Sequence, residues 1–555
     1  MTPDPATRNE RDDELANSII DHFMKLNSDR STFAQHWEEV AALVRPTSVN
    51  TFMFGNSNTP GQKNTQQQVD ATAMLALSRF GAILDSLLTP RNQQWHTLEP
   101  SNRELMKDRA SRLWFEEATR ILFKLRYSHL SNFASQNQQN YQELGAFGTG
   151  GVFLDKYEGP GGETGFRYKA IPLGELFIIE NHQGLVDGFI RWFRLNAKQA
   201  YDQFGDMIPE QLQTALKAKS QANFDFLHYV APNKDYNEEK LDYRGKLFKS
   251  CYVSMAGRKL LTEGGYNSLP LAASRYDQAP GEAYGRSPAM MVLPAIKTLN
   301  AEKATFLAQG HRAAAPILLT ADDGLLDINM RPGAVNKGGW SAEGRPLVGT
   351  LPTGNIQTTK EMMDEERALI NDAFLVTLFQ ILTETPAMTA TEVVERTNEK
   401  GILLAPTVGR QQSEYLGPLI YRELDLASEL GLLPEMPPLL REANGEYEVV
   451  YTSPLSRSMR AQEASGAMRT IETVISIVNV TQDPSLLDNF DFDTIIPELA
   501  HINAVPESWM ASTEMKQQKR DSRQKELEDQ KRIQAAPAAA AIMKAQQEAQ
   551  SAAPA

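Results

Sequence analysis

The stretch "YGRSPAMMVLPAIKTLN", residues 284–300, opens a long helical pattern that contains an internal proline. Ser287 is a favourable N-cap, and Pro288 suits a first helical turn because its missing N–H would have no partner within the helix. Pro294 lies further along, where it removes the hydrogen bond to the carbonyl of Met290 and clashes with that group. The stretch therefore predicts a long helix that bends or restarts at Pro294.

The sequence before this stretch predicts helices followed by a strand-rich region. Residues 31–46, "STFAQHWEEVAALVRP", place apolar side chains on one helical face and end at a proline. From the glycines near residue 150 to about residue 280, short apolar runs such as "GELFIIE" and "GFIRWFRL" alternate with turns and indicate strands. One helix is expected within this region, near residues 196–219. The fold class predicted is α+β and mainly helical.

After the quoted stretch, the pattern predicts a second long helix and a helical C-terminal part. Residues 313–356 return to short strands and turns, and Thr358 with Glu361 forms a capping box that predicts a helix to about residue 382. The loop "TETPAM" and another capping box at Thr389 follow. Further predictions are helices at 407–432, 456–481 and 494–534, with a strand in "GEYEVVYTS".

Composition excludes several classes of protein. The net charge of −14 argues against a protein that grips nucleic acid over its whole surface. Cys251 is the only cysteine, so an intramolecular disulfide and a cysteine-rich zinc site are excluded. No stretch approaches the length of apolar sequence that crosses a bilayer, so no membrane association is expected.

The sequence contains no convincing motif of catalysis or metal binding, so it predicts no catalytic residue, no cofactor and no metal. "GAFGTGG" at 145–151 lacks the lysine of a Walker loop and indicates a turn before a strand. "HWEE" at 36–39 indicates a solvated His36–Glu39 pair. "DNFDFD" at 488–493 lacks the glycine and closing glutamate of a calcium loop and favours a helix-capping turn, with a hydrolase that uses these acids as a remote alternative.

Basic residues give a mild signal for nucleic-acid binding. The candidates for contact with DNA or with a neighbouring subunit are Lys297, Lys303, Arg312, Arg396 and Lys400. Taken alone, they are more typical of solvated or interface charges. Residues 512–534 mix both signs of charge and predict a solvent-exposed helix or a short coiled coil.

Four segments, in order, resemble the portal proteins that connect head to tail in short-tailed bacteriophages. They are "SRFGAILDSLLTPRNQQWHTL" at 78–98, the opening stretch at 284–300, "RPGAV" at 331–335, and "MTATEVVERTNEKGILLAPTVGRQQSEYLGPLIYRELDLASELGLLP" at 388–434. The resemblance runs from about residue 15 to about residue 510. Four ordered segments are more specific than any single motif.

The resemblance implies a portal-type fold with wing, stem, clip and crown. The implied parts are an N-terminal wing region (1–286), a first stem helix (287–311), a clip (312–356), a second stem helix (358–382), a channel loop (383–389), a wing helix and strand (390–455), crown helices (456–534) and a low-complexity tail (535–555). The residues assigned to the channel loop are Thr383, Glu384, Thr385, Pro386, Ala387 and Met388. Met290 and Met291 would supply adaptable packing between subunits.

The function that the resemblance implies is that of a non-enzymatic ring in the virion. About twelve copies would close by rotation at one capsid vertex, after assembly in the host cytoplasm. Double-stranded DNA would pass through the channel during packaging and ejection. The implied partners are the terminase, the major capsid and scaffold proteins, and a tail adaptor. A tail adaptor or another ring-forming virion structural protein is the alternative.

Overall fold

The computed structural model describes most of the chain. The described residues are 5–55, 59, 61–102, 105–106, 108–159, 161–320, 328–329, 331, 333–352, 356–377, 379, 405–442, 445–452, 454–481, 484–502, 505, 509–511, 514–530 and 542. Within them, the chain mixes helices with antiparallel sheets, in agreement with the α+β prediction.

The helices are α1 (Pro5–Asp29), α2 (Ser31–Val44), α3 (Thr72–Leu88), α4 (Arg109–Arg126), α5 (Phe133–Phe147), α6 (Ala197–Phe204), α7 (Glu210–Lys217), α8 (Pro288–Met291), α9 (Leu293–Ala314), α10 (Ile356–Ala373), α11 (Gly417–Glu429), α12 (Pro438–Glu442), α13 (Pro454–Thr481) and α14 (Phe492–Ile502). The strands are β1 (His96–Pro100), β2 (Thr149–Glu158), β3 (Thr164–Ala170), β4 (Leu176–Glu180), β5 (Val186–Asn196), β6 (Asn223–Pro232), β7 (Phe248–Ser254), β8 (Lys259–Tyr266), β9 (Leu271–Arg275), β10 (Leu318–Thr320), β11 (Val348–Thr350) and β12 (Tyr447–Tyr451). A π-helical segment, Gln411–Leu416, leads into α11.

The chain divides into two compact units. The first comprises 1–95, 121–433 and 453–459, and the second comprises 96–120, 434–452 and 460–555. Residues 96–120 therefore cluster with the C-terminal part of the chain. The resemblance to portal proteins had assigned them to the N-terminal wing region, residues 1–286. The local reason is the antiparallel pairing of β1 with β12, in which Leu98 is opposite Val449.

The first unit contains a five-stranded antiparallel sheet in the order β4-β5-β6-β7-β8. Helix α1 covers one face, where Phe23 packs with Phe177 and Leu227 in a buried apolar cluster. Helices α6 and α7 pack against Phe193 and Phe226 in a second cluster. The single helix predicted near 196–219 is wrong, because a 3₁₀ turn at Gly205–Met207 separates the two helices.

The first unit also contains a three-stranded sheet in the order β3-β2-β9. Helices α2, α3 and α5 pack with one another beside this sheet and complete the core. Trp37 of α2 is fully buried, and its indole N–H donates to the carbonyl of Phe147 at 3.1 Å. The apolar face predicted for residues 31–46 is confirmed. Buried Trp N–H groups need such a partner, so this bond fixes α2 against the end of α5.

The second unit contains the β1–β12 ribbon and the helices α12 and α14. Trp114, in the part of α4 that belongs to this unit, donates its indole N–H to the carbonyl of Pro434 at 3.0 Å. The strand predicted in "GEYEVVYTS" is confirmed as β12. The helical region predicted over 494–534 begins two residues earlier, at Phe492, and is not continuous. Helix α14 ends at Ile502, residues 505, 510 and 511 are not helical, and residues 514–530 are helical again.

Candidate functional site

The opening stretch forms two successive helices, as Pro294 predicted. The Ser287 hydroxyl accepts from the N–H of Met290 at 2.9 Å and donates to the carbonyl of Ala146 at 2.8 Å. Helix α8 ends at Met291, and α9 begins at Leu293, so Pro294 lies in a first turn, where it interrupts no helical hydrogen bond. The predicted restart is confirmed, and Ser287 ties it to the end of α5.

The glycines of "GAFGTGG" also belong to this junction. Gly148 ends α5 with a φ of +78°, in the left-handed region that glycine adopts readily. Thr149, the first residue of β2, accepts through its hydroxyl from the N–H of Gly285 at 2.8 Å. The interpretation of this motif as a turn before a strand is confirmed.

Helix α9 packs against α10, and polar contacts anchor one end of this helix pair to another part of the first unit. The Asn300 side-chain oxygen accepts from the N–H groups of Val69 at 2.8 Å and Asp70 at 3.1 Å. Arg367 of α10 pairs with the Asp70 carboxylate at 2.9 Å. Although burial opposes it, hydrogen bonds from Thr72 and Arg367 hold the pKa of Asp70 below its ordinary value. The anchor therefore joins both helices of the pair to the residues just before α3.

Parts of both helices of the pair are open to solvent. In α9 the buried residues lie in the first two turns, from Leu293 to Asn300, and none of residues 301–314 is buried. Leu307 of α9 is 44% exposed, and Met362 and Leu369 of α10 are 50% and 52% exposed. These three side chains leave apolar surface exposed on both helices.

The three cations predicted on the first long helix have different surroundings. Lys297 pairs with Glu39 at 2.7 Å, so Glu39 bonds to this lysine and not chiefly to His36 as the sequence indicated. The Lys303 ammonium lies over the ring of Phe306, 5.7 Å from its centroid. Arg312 is exposed in the last turn of α9, where a positive charge is favourable for the helix dipole.

Acidic side chains of the two helices lie close together, a feature that the sequence motifs did not predict. Burial first, and then the negative charges of Glu366 and Glu365, raise the pKa of Glu302. The signal was present in the sequence, because "DEE" at 364–366 lies on the helix that pairs with α9. Only the pairing of the two helices, which periodicity does not give, places Glu302 beside that run.

The second long helix differs from its predicted bounds. Ile356 is already helical, so Thr358 lies inside α10 and cannot cap it. The helix ends at Ala373, and Leu375 follows with a φ of +62° in the left-handed region. The prediction of one helix to residue 382 is therefore wrong. The residues of the predicted channel loop, the capping box at Thr389, Arg396 and Lys400 lie outside the described residues.

The acidic run at 488–493, in the second unit, caps a helix. The Asp491 carboxylate accepts from the N–H of Asp493 at 3.0 Å and from the hydroxyl of Thr494 at 2.6 Å, at the start of α14. These hydrogen bonds from Thr494 and from the backbone lower the pKa of Asp491. The interpretation as a helix-capping turn is confirmed. Among the described residues, no group of three or more His, Cys, Asp or Glu side chains is placed to hold a metal ion.

No helix in the described part of the chain is both long and apolar enough to cross a membrane.

Comparison with known sequences finds one matching family and two similar proteins. The sequence model of the family described as "Bacteriophage head to tail connecting protein" matches residues 16–510. The chain is similar to the "Probable portal protein" of Bordetella phage BPP-1, with 26% identity over 86% of this chain and 85% of the relative. It is also similar to the "Portal protein" of Salmonella phage epsilon15, with 25% identity over 92% of this chain and 91% of the relative.

Proposed function

The chain belongs to the family of bacteriophage head to tail connecting proteins, and from this premise we propose how it works as a portal protein. About twelve copies form a closed ring at one vertex of the capsid. Double-stranded DNA passes through the centre of the ring during packaging and ejection. The observation that carries the proposal is the match of the family over residues 16–510, together with similarity to two portal proteins along nearly their full length.

In this proposal, the helix pair α9–α10 forms a surface through which neighbouring copies in the ring contact each other. A cyclic ring uses two different patches on each subunit, one for each neighbour. The half-exposed Leu307, Met362 and Leu369 supply apolar surface on both helices. Contact with neighbouring copies would remove these side chains from water, which contributes about 25 cal/mol for each Å² of apolar surface before the entropy cost of association is subtracted.

Charge supports a channel through which DNA slides. Each phosphate contact made by a lysine or arginine adds affinity, and many such contacts would hold the duplex in place. The chain has a net charge of −14, and Lys297 is already paired with Glu39. We expect a wall that repels the duplex weakly and lets it move. Retention of packaged DNA is assigned to the channel loop at 383–388.

In this proposal, the ring docks the terminase on the outside of the capsid and later binds the tail adaptor. Scaffold and major capsid proteins contact it during assembly in the host cytoplasm. The portal itself has a structural role, and ATP hydrolysis belongs to the terminase.

Substitution at the exposed helix pair tests the contact surface. Leu369→Glu should reduce the fraction of closed rings in native mass spectrometry, because a charge would be buried between copies. Leu241→Glu is the matched control, since Leu241 is fully exposed in a loop of the first unit far along the sequence from the helix pair. Equal ring fractions in the two variants would exclude α10 from the interface.

Deletion of residues 384–387 tests the channel loop. The expected result is heads that fill with DNA at a normal rate but lose it after the terminase leaves. DNA retention is measured by nuclease protection of purified heads. Retention equal to that of wild type would refute the assignment.

A further inference from the structure

The first unit contains a cavity of about 420 Å³ on the face of the five-stranded sheet, next to the edge strand β3. Its lining includes Lys169 of β3, Arg191 and Phe193 of β5, and Tyr252 of β7. Residues 191 and 193 are two apart along β5, so their side chains point to the same face of the sheet. A cavity of this size is within the range of small-molecule sites.

Positive charge predominates in this cavity, although the chain as a whole is acidic. Lys169, Arg191 and Arg194 line it together with one carboxylate, that of Glu175. Arg191 donates to Glu175 through Nε at 3.0 Å and Nη2 at 2.9 Å, which uses two of the five N–H donors of the guanidinium. Arg194 pairs with Asp225 at 2.9 Å. Residue 194 alternates with residue 193 along β5, so the Arg194 side chain lies on the opposite face of the sheet, near the ring of Trp192. On the cavity face, Lys169 and Arg191 meet the one carboxylate of Glu175, and one positive charge remains in excess.

Lys169 and Arg191 are also close enough to repel each other. Burial is the largest effect that lowers the pKa of Lys169, and the positive charge of Arg191 lowers it further. The carboxylate of Glu175 raises this pKa, but by less. A cleft with one predominant sign of charge concentrates the electric field and attracts ions of the opposite sign. An anion between Lys169 and Arg191 would relieve the repulsion and accept hydrogen bonds from both groups.

Aromatic rings supply the apolar part of the cavity. Phe193 and Tyr252 lie 6.4 Å apart between ring centroids, with their planes nearly perpendicular. Burial raises the pKa of Tyr252 to about 12, so its phenol is neutral at physiological pH. A cavity of about 420 Å³ has more room than one phosphate group requires. The organic part of a larger anion would rest against these rings.

We propose that this cavity binds a small phosphate monoester, with the phosphoryl group between Lys169 and Arg191 and the organic group against Phe193 and Tyr252. The inference does not depend on the ring or on the DNA channel. The phosphoryl group has two sources, a free mononucleotide or the 5′ end of a nucleic-acid strand. Charge-assisted hydrogen bonds to phosphate are the main interaction in both cases.

Isothermal titration calorimetry of the full chain tests the proposal, with deoxyadenosine monophosphate, ribose 5-phosphate and adenosine as probes. Both phosphate esters should bind, and adenosine should not. Lys169→Gln should weaken binding about tenfold, and Lys169→Arg should retain it. Lys217→Gln is the matched control, because Lys217 is exposed on α7 and does not line the cavity.

Two outcomes would overturn the proposal. One is the absence of binding by both phosphate esters at millimolar concentration. The other is binding that Lys169→Gln and Lys217→Gln leave equally strong, which would show unspecific attraction. A pair of single-stranded oligonucleotides, with and without a 5′ phosphate, identifies the source. Binding that needs the 5′ phosphate supports a strand end, and binding of the mononucleotide alone supports a free nucleotide.

Discussion

Gly148 and Gly285 cross with their backbones in direct contact. A Cβ atom on Gly148 would meet the carbonyl oxygen of Gly285, and a Cβ atom on Gly285 would meet the carbonyl oxygen of Gly148. Both clashes involve backbone atoms, which cannot rotate away as a side chain does. The turn between α5 and β2 and the start of the opening stretch therefore require glycine at both positions.

Gly285→Ala should destabilise the first unit by about 3 kcal/mol or more, because backbone must move to accommodate the methyl group. Gly264→Ala is the control, since its Cβ would meet no atom within 4 Å and it lies in strand β8. Urea unfolding followed by circular dichroism measures the difference. Equal midpoints for the two variants would show that the backbones separate easily.

Arg126 and Glu423 form an ion pair in the core of the first unit, with both side chains 0% exposed. The hydroxyl of Tyr168 donates to the same carboxylate at 2.6 Å, and the ring of Trp95 lies 4.5 Å from the guanidinium carbon. Glu423→Gln should reduce the free energy of unfolding by about 3–5 kcal/mol, because it leaves a buried guanidinium without a counter-charge.

The exposed pair of Arg120 with Glu117 provides the comparison for that prediction. Glu117→Gln should change the unfolding midpoint little, since exposed ion pairs are screened by water and salt. Thermal unfolding of both variants measures the contrast. A Glu423→Gln protein as stable as wild type would contradict a structural role for the buried pair.

The anchor of the helix pair should depend on pH through Asp70. The pKa of Asp70 is lower in the folded protein than its ordinary value, so its contribution is complete above about pH 4 and is lost as pH falls through the lower folded pKa. Asp70→Asn should therefore be less stable than wild type by about 1–2 kcal/mol at pH 7. Urea unfolding at pH 7 and pH 3 should show that this gap narrows in acid, and a gap of constant size would contradict the role of the charge.

Glu302 should show the opposite dependence. Its pKa is raised in the folded protein, so ionisation above that pKa disfavours the packing of α9 against α10. Glu302→Gln should be more stable than wild type by about 0.3–0.5 kcal/mol at pH 7, the range of a like-charge pair on helices. The gain should disappear at acid pH. Glu361→Gln, on the exposed surface of α10, should show no such gain.

The fold class and the restart at Pro294 followed from the sequence because they depend on local chemistry. Proline position, N-cap residues and apolar spacing determine where a helix starts and which face it buries. The same rules located α2 and the strand β12. They failed at Thr358, because a capping box is a local preference and the helix around it begins earlier.

Contacts between distant segments could not be predicted from one sequence. The bond of Arg367 to Asp70, the approach of Gly148 to Gly285 and the charge cluster around Lys169 join residues that are far apart along the chain. Periodicity reports which face of a helix is buried, and it does not identify the neighbour. Lys297 is an example, because nothing in the sequence indicated its ion pair with Glu39. Its contact with DNA or with a neighbouring subunit stays a prediction.

Electron microscopy of the purified chain, with native mass spectrometry to count subunits, tests the ring most directly. The measurement is made on the chain alone and after co-expression with its scaffold and capsid proteins, which covers assembly that needs a partner. We expect closed rings of about twelve copies around a hole wide enough for a DNA duplex. A chain that stays monomeric in both preparations, or that forms open tubes or rings of half that size, would contradict it.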